Sequence, residues 1–349
     1  MIKSLKEISW DVSEDTYRKD PALSYSTLAK FEREGFNKLD SLFDNIDTPS
    51  LTFGSAVDSI ITGGEEEFNA RFMVAEFPSI PDSIISIVKH AFEVYKNQYT
   101  SLEEIPNNVL LPIIDSHNYQ QNWKPETRIK VIKEKGEEYY KLLYIAQDKT
   151  ILSQDIYQDV ISAVNALKES PSTSQYFIDN PFGDIEQLYQ LKFKHIFNNI
   201  EYRGMMDLII VDHDKKLIIP IDLKTSGKPE WEFYKSFATW RYDLQSRLYW
   251  RLLRANMDED EYFKDFQLAN YRFIVVNRKT LTPLVWEFTD TQAGGELIYG
   301  AGFDIKMRDP FVIGEELHDY LESKPKVPKD IYEDRPNNIV KWINRVNNW

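Results

Sequence analysis

The sequence predicts an α/β fold in which a mainly helical first half is followed by a β-sheet. Apolar residues recur at helical spacing through much of residues 1–180. Apolar runs of strand length then dominate residues 186–224, and two more lie between residues 271 and 288. An amphipathic helix is predicted at residues 240–255, between these two groups of strands. We therefore expect a central sheet flanked by helices.

The chain has 349 residues, a length compatible with one elaborated domain or with two. No repeat or low-complexity tract divides it, and we expect one elaborated domain over residues 1–349. Its expected parts are a mainly helical part (1–180), a part that holds the sheet (181–290) and a helical C-terminal part (291–349). In the last part, helices are predicted around Leu297–Met307 and Asn338–Val346.

Composition narrows the classes of protein to consider. Hydrophobic residues make up 42% of the chain, which is enough for a packed core. The sequence contains no cysteine, which excludes disulfides, zinc–thiolate sites and iron–sulfur clusters. No apolar run approaches the roughly 18 residues of a membrane span, and the N-terminus lacks a signal-peptide pattern. We therefore expect a cytoplasmic protein with no membrane partner.

Acidic residues stand in two apolar strands that are predicted within residues 205–224. Asp207 lies in the first strand, and Asp222-Leu223-Lys224 closes the second, after a polar break at Asp212–Lys215. A buried carboxylate is costly unless another group compensates its charge, and a divalent metal ion would do so. The pattern indicates a hairpin that binds a metal ion.

The register of this hairpin decides whether the two acids meet. The length of the polar break predicts that Val211 pairs with Lys216. In that register Asp207 and Asp222 are diagonal neighbours on one face, roughly 7–8 Å apart. Lys224, two residues beyond Asp222, shares that face. Acid-x-lysine occurs four times in the chain, and a strand-end salt bridge between Asp222 and Lys224 is the alternative interpretation.

The predicted helix at residues 240–255 supplies two further candidates. Apolar residues recur every four positions in it, and Gln245 and Tyr249 are also four apart, so they share a helical face. The alternative interpretation makes Gln245 a surface residue and Tyr249 a core residue.

The order Gly204-x-x-Asp207, Asp222-x-Lys224, Gln245-x-x-x-Tyr249 resembles the PD-(D/E)xK nuclease superfamily. Within it, the pattern is similar to RecB-type nuclease domains and RecE-like phage recombination exonucleases. The resemblance implies a restriction-endonuclease-like central mixed sheet flanked by helices, with the core order strand, strand, strand, helix, strand. Several RecB-type relatives carry a cysteine-bound iron–sulfur cluster, which this chain cannot hold.

The resemblance also gives the candidate residues their roles. Asp207 and Asp222 would bind Mg²⁺ or Mn²⁺, with the carbonyl group of Leu223 as a further ligand. Lys224 would orient or deprotonate the attacking water, or neutralise the developing charge. Gln245 and Tyr249 would complete the catalytic set by positioning the substrate strand or bracing the metal ligands.

A further metal ligand is predicted in the helical half. Phe53–Ile61 is similar to a helix in which this branch has a Gly-x-x-x-His motif, with Gly54 as its glycine. Asp58 stands where the histidine would fall, and aspartate is a competent oxygen ligand for Mg²⁺ or Mn²⁺. The alternative is an ordinary aspartate on the solvent-facing side of an amphipathic helix.

Other candidates lie around these motifs. Glu186 matches an acid often found in relatives, where we expect it to support the metal ligands from behind or to lie at the surface. Arg241, Lys124 and Arg128 are candidates for contacts with substrate phosphates, although charged runs are usually solvated faces. The net charge of −14 argues against a nucleic-acid coat protein but allows a nuclease whose basic residues line only a cleft.

The resemblance to RecE-like enzymes implies an exonuclease that degrades linear double-stranded DNA in phage recombination or repair. Its expected partners are DNA, a single-strand annealing protein and other copies of the chain in a homo-oligomer, in the host cytoplasm if the chain is phage-encoded. Two alternatives remain. One is a non-catalytic DNA-binding or assembly module on the same fold, and the other is a restriction-type endonuclease.

Overall fold

The computed structural model describes residues 2–35, 42, 49–178, 184–299 and 305–323. The chain divides into two compact units. The first combines Met1–Gly54 with Ser162–Trp349, and the second is Ser55–Ile161. The boundaries between the two units fall within two helices.

The helices and strands follow in chain order. The helices of the described parts are α1 (Glu14–Lys19), α2 (Tyr25–Glu34), α3 (Pro49–Arg71), α4 (Asp82–Tyr95), α5 (Asn107–Ser116), α6 (Pro125–Ala146), α7 (Gln154–Glu169), α8 (Phe233–Trp240), α9 (Tyr242–Asp258) and α10 (Pro310–Ser323). The strands are β1 (Phe72–Val74), β2 (Thr150–Leu152), β3 (Ile185–Phe197), β4 (Ile200–Asp212), β5 (Leu217–Ser226), β6 (Gln267–Leu268), β7 (Arg272–Asn277), β8 (Leu284–Glu287), β9 (Leu297–Tyr299) and β10 (Ile305–Met307). Short 3-10 helices lie at Leu5–Ile8, Ser174–Tyr176 and Glu230–Glu232.

A mixed sheet in the order β3-β4-β5-β7-β8 forms the centre of the first unit. The pairs β3–β4, β4–β5 and β7–β8 are antiparallel, whereas β5 pairs in parallel with β7 and, at its start, with β6. The parallel step from β5 to β7 passes through α8 and α9. The predicted fold class, a central mixed sheet flanked by helices, is confirmed, and so is the mainly helical first half.

The core of the first unit lies between the sheet and α9. Leu244, Leu248 and Leu252, the apolar stripe of the predicted helix, are all fully buried. They belong to one cluster with Met206 and Ile209 of β4. Burying a leucine side chain stabilises a fold by about 2 kcal/mol, so this stripe fixes α9 against the sheet.

The second unit has its own helical core. Residues of α4, α5 and α6 pack together there, among them Ile87, Ile114, Ile132 and Tyr140. Strands β1 and β2 pair in parallel. In the described parts of the chain, no helix is both long enough and apolar enough to span a membrane.

The predicted register of the hairpin was wrong. Val211 pairs with Ile218 rather than with Lys216. Asp212 explains the shift, because its carboxylate accepts a hydrogen bond from the Lys215 backbone and pairs with the Lys215 ammonium group. Asp212 is thereby the last strand residue, and the turn begins one residue later. The partner of each β4 residue is therefore two positions further along β5 than predicted. Because side chains alternate between faces with a period of two, every side chain stays on the predicted face.

The helix predicted around Leu297–Met307 was also wrong. This segment contributes the antiparallel strands β9 and β10. Gly300 and Gly302 stand in the middle of it, and glycine costs about 1 kcal/mol in a helix relative to alanine. The helix predicted at Asn338–Val346 lies outside the described residues.

Candidate active site

The two hairpin acids lie where strands β4 and β5 separate. The β4–β5 ladder runs from the Asp212–Leu217 pair to the Leu208–Ile221 pair. Beyond this point β4 stays paired with β3, and β5 stays paired with β7. Asp207 and Asp222 are the next residues on the two strands, so they lie at a fork in the sheet. Opposite residues in adjacent strands have Cβ atoms about 5 Å apart, which is within reach of one ion.

A hydrogen bond from the opposite strand fixes Asp207 at this fork. Its Oδ2 atom accepts a hydrogen bond from the backbone N–H of Leu223, with an N–O distance of 2.8 Å. A strand residue directs its N–H and C=O groups to the same side, so the Leu223 carbonyl also faces the β4 side of β5.

Asp222 is the most buried acid of the site, with 1% of its surface exposed. Its Oδ1 atom accepts a hydrogen bond from the Gln245 side-chain amide. Its Oδ2 atom lies 2.6 Å from the ammonium nitrogen of Lys224. The hairpin and α9 are therefore joined through one carboxylate, and the structure brings Asp222, Lys224 and Gln245 together.

Lys224 carries its positive charge beside this carboxylate. Burial alone lowers the pKa of Lys224, but Asp222, with Tyr242 and Asp207, outweighs burial and raises the pKa above its ordinary value. The ammonium nitrogen also lies 4.6 Å from the centre of the Tyr242 ring, a cation–π distance. Lys224 is thus held as a cation between an acid and an aromatic face.

Tyr249 explains why a glycine precedes the acid on β4. A Cβ atom added at Gly204 would lie 2.6 Å from Cδ1 of the Tyr249 ring. The ring therefore lies directly against the backbone of β4, three residues before Asp207. Burial raises the pKa of Tyr249 well above its ordinary value, and Tyr17, Asp222 and Asp207 raise it further. Its hydroxyl group stays neutral and can donate a hydrogen bond.

The contact between Gly204 and Tyr249 gives a testable prediction. Gly204→Ala is expected to lower the free energy of unfolding by about 1–3 kcal/mol, because the added methyl group overpacks a fixed ring. Gly227→Ala is the matched control, since a Cβ atom there meets no atom within 4 Å. Urea unfolding of both variants tests this contact, and equal stability of the two would contradict it.

Sequence reasoning missed three tyrosines beside the acids. Tyr271 is fully buried, its hydroxyl group has no hydrogen-bond partner in the described structure, and burial, Asp222 and Asp207 raise its pKa. Tyr242 packs under Lys224, and Tyr25 lies next to Tyr242, with 6.2 Å between the ring centres. Tyr242 stands three residues before Gln245, so helical spacing could have identified it. No signal in the sequence marks Tyr271.

Two predicted site residues of the first unit have structural partners. Arg241 is buried, and its guanidinium group pairs with Asp243 and Glu32. It also has a left-handed backbone, with φ of +57°, at the turn between α8 and α9. Glu186 accepts hydrogen bonds from the Leu5 backbone and from His213 in the hairpin turn. Glu186 pairs with Val211, four residues from Asp207 and roughly 14 Å along the strand.

The other predicted residues belong to the second unit. Arg128 is buried and pairs with Asp115, at 2.6 Å. Lys124 is exposed at the start of α6. Asp58 is half-buried on α3. Phosphate contact by Lys124 and metal binding by Asp58 stay predictions.

The oxygen atoms at the fork fit a hard divalent cation. The donor set comprises the carboxylates of Asp207 and Asp222 and the Leu223 carbonyl. The Gln245 Oε1 atom is buried and has no hydrogen-bond partner among the described residues. No group of three or more His, Asp or Glu side chains within those residues is placed to hold an ion. Mg²⁺ needs no such group, because it binds through one or two carboxylates together with water and phosphate oxygens.

Comparisons with known proteins add little to this geometry. The chain is similar to a crystal structure of a candidate exonuclease from Eubacterium rectale, with a TM-score of 0.41 and 13% sequence identity. The similarity covers 80% of this chain and 79% of that chain. No protein-family model matches the sequence, and no curated protein matches it.

Proposed function

We propose that this chain is a metal-dependent nuclease that hydrolyses phosphodiester bonds at the fork between β4 and β5. One observation carries the proposal. Two acids end a strand ladder side by side, and a lysine two residues beyond the second acid is paired with it. A strand-end salt bridge would account for Asp222 and Lys224. It would not account for Asp207 at the same fork or for the amide of Gln245 on the same carboxylate.

Each residue has a role that follows from its contacts. Asp207 and Asp222 would hold Mg²⁺ or Mn²⁺, whose chemistry when bound is to acidify water and neutralise phosphate oxygens. Gln245 orients Asp222 by donating to Oδ1, which leaves the Oδ2 side of the carboxylate toward Lys224. Hydrogen bonds of this kind from outside the ligand set are worth roughly 10–100-fold in metal affinity or activity.

Lys224 would act on the substrate as a cation. Its ammonium group is paired with Asp222, a geometry that favours charge neutralisation at the scissile phosphate over deprotonation of water. Tyr249 and Tyr271 are neutral and buried beside the acids, and they would brace the ligands or donate to a phosphate oxygen.

We further propose that the substrate is linear double-stranded DNA, degraded from its ends. The motif resemblance to RecE-like exonucleases supports this, as it does a role in phage recombination or repair, a single-strand annealing partner and a homo-oligomer. Arg241 and Arg128 are engaged with acids, so substrate phosphates would be bound by other cations.

Incubation of the protein and Mg²⁺ with linear or covalently closed DNA distinguishes an exonuclease, an endonuclease and a non-catalytic DNA-binding module. An exonuclease degrades the linear DNA and leaves the closed circle intact, and Asp222→Ala stops the reaction. Cleavage of the circle would instead indicate an endonuclease. No cleavage of either DNA by the purified wild-type protein would overturn the proposed function and favour a non-catalytic DNA-binding module.

A further inference from the structure

An exposed arginine and an exposed tryptophan are stacked on one another in the first unit. Arg33 lies near the end of α2, and Trp240 is the last residue of α8. The guanidinium carbon of Arg33 lies 5.2 Å from the centre of the Trp240 indole ring. Trp240 keeps 48% of its surface exposed. We call these two residues the Arg33–Trp240 pair.

The pair is connected to the active-site lysine through two tyrosines. The hydroxyl group of Tyr25 donates a hydrogen bond of 2.7 Å to the backbone carbonyl of Trp240. The Tyr25 ring lies beside the ring of Tyr242, on which Lys224 stacks.

Arg33 is exposed, and its guanidinium group has no carboxylate within ion-pair distance among the described residues. The preceding residue, Glu32, is occupied by Arg241 and Arg308, with N–O distances of 2.8 and 3.1 Å. The net charge of the chain is −14, so an exposed arginine that has no acid partner in the described part of the chain would provide a useful positive charge beside a site for phosphates.

We propose that the Arg33–Trp240 pair binds the substrate strand beside the cleavage site, Arg33 at a backbone phosphate and Trp240 by stacking on an unpaired base. The inference rests on the proposed nuclease function. It replaces the phosphate contact predicted for Arg241, whose guanidinium group is buried and paired.

The chemistry of the two side chains suits this ligand. A guanidinium group binds phosphate oxygens through two parallel hydrogen bonds, and its flat face lies well on an aromatic ring. An indole ring stacks on any base, because every base has a π face. Contacts of this kind bind a strand without recognising its sequence. An enzyme that degrades DNA of any sequence requires such contacts.

Binding can be measured without hydrolysis, by fluorescence anisotropy of a labelled DNA duplex with an unpaired overhang in buffer containing EDTA. Arg33→Gln and Trp240→Leu are each expected to raise Kd about tenfold. Arg33→Gln should also reduce the slope of log K against log salt by about one, whereas Trp240→Leu should not change it. Trp240→Phe, which keeps an aromatic face, should retain most of the affinity.

Two matched controls separate this site from general surface effects. Lys6→Gln removes one exposed positive charge, and Trp231→Leu removes a tryptophan that is 55% exposed in the 3-10 helix before α8. Both are expected to bind like the wild-type protein. Equal affinity of Arg33→Gln, Trp240→Leu and the two controls would overturn the proposed site.

Binding and cleavage assays of the same proteins distinguish failure of this binding site from failure of the proposed nuclease function. If the wild-type protein binds the DNA through Arg33 and Trp240 but cleaves nothing with Mg²⁺, the nuclease function fails and the binding site stands. If it cleaves DNA and the two variants keep the wild-type KM, the nuclease function stands and the binding site fails. A wild-type protein that neither binds nor cleaves DNA overturns both.

Discussion

Asp222→Asn is expected to reduce DNA hydrolysis by at least about a hundredfold while the fold is retained. Asparagine keeps the shape of the side chain and can still bond to Gln245, so packing around β5 and α9 survives. It removes the negative charge that faces Lys224 and that would hold the metal ion. A change outside the ligand set already costs roughly 10–100-fold, so loss of a direct ligand should cost more. Initial rates on linear DNA with Mg²⁺, together with thermal melting, measure both effects.

Asp212→Asn is the matched control for this prediction. Asp212 is also a buried acid of the same hairpin that pairs with a lysine, but it lies at the turn. We expect Asp212→Asn to retain activity. Full activity of Asp222→Asn, or an equal loss in both variants, would show that the fork is not the reaction site.

Arg247→Met in α9 is expected to lower the free energy of unfolding by about 3 kcal/mol. Arg247 is fully buried and lies between Gln245 and Tyr249 on that helix. It donates hydrogen bonds to the carbonyl groups of Ala293 and Gly295 and pairs with Asp309. Methionine fills much of the space but removes these donors, so Arg251 is left to donate to Ala293 and Asp309 and the ion pair with Asp309 is halved, which is costly.

Arg254→Met provides the comparison for this loss of stability. Arg254 lies on the same helix, but it keeps 21% of its side chain exposed, pairs with the exposed Asp258 and donates to the carbonyl groups of Phe266 and Lys264. Partly solvated contacts of this kind are expected to cost less to remove than the fully buried contacts of Arg247. Urea unfolding of both variants measures the difference. A loss in Arg247→Met no larger than that in Arg254→Met would contradict the structural role given to Arg247.

The site was predictable to the extent that it depends on periodicity. The two-residue repeat of strands placed Asp222 and Lys224 on one face, and the structure pairs them directly. The exact pairing of the hairpin could not be predicted, because it depends on how Asp212 caps the turn. The predicted pairing differed from the observed one by one residue on each strand. This difference preserves the alternation of side chains, so it did not change which side chains share a face.

Residues whose roles depend on contacts between distant segments were not predictable. Arg241 stands beside the Gln245 motif and suggested a phosphate contact, but its partner Glu32 is 209 residues away in sequence. Tyr271 comes next to the acids only because β7 pairs in parallel with β5. Gly204 is the opposite case. The sequence motif identified this residue, but only the position of the Tyr249 ring in the structure explains why a glycine is needed there.

Metal binding by the wild-type protein, compared with Asp207→Asn and Asp222→Asn, tests the central claim most directly. An ion that binds only the folded state at a hundred times its Kd stabilises that state by about 2.7 kcal/mol, which raises Tm by about 4 °C in a chain of this size. We predict that saturating Mn²⁺ raises the Tm of the wild-type protein by this amount and leaves the Tm of both variants unchanged. An equal rise in all three proteins, or no rise in the wild-type protein, would contradict a metal site at the fork.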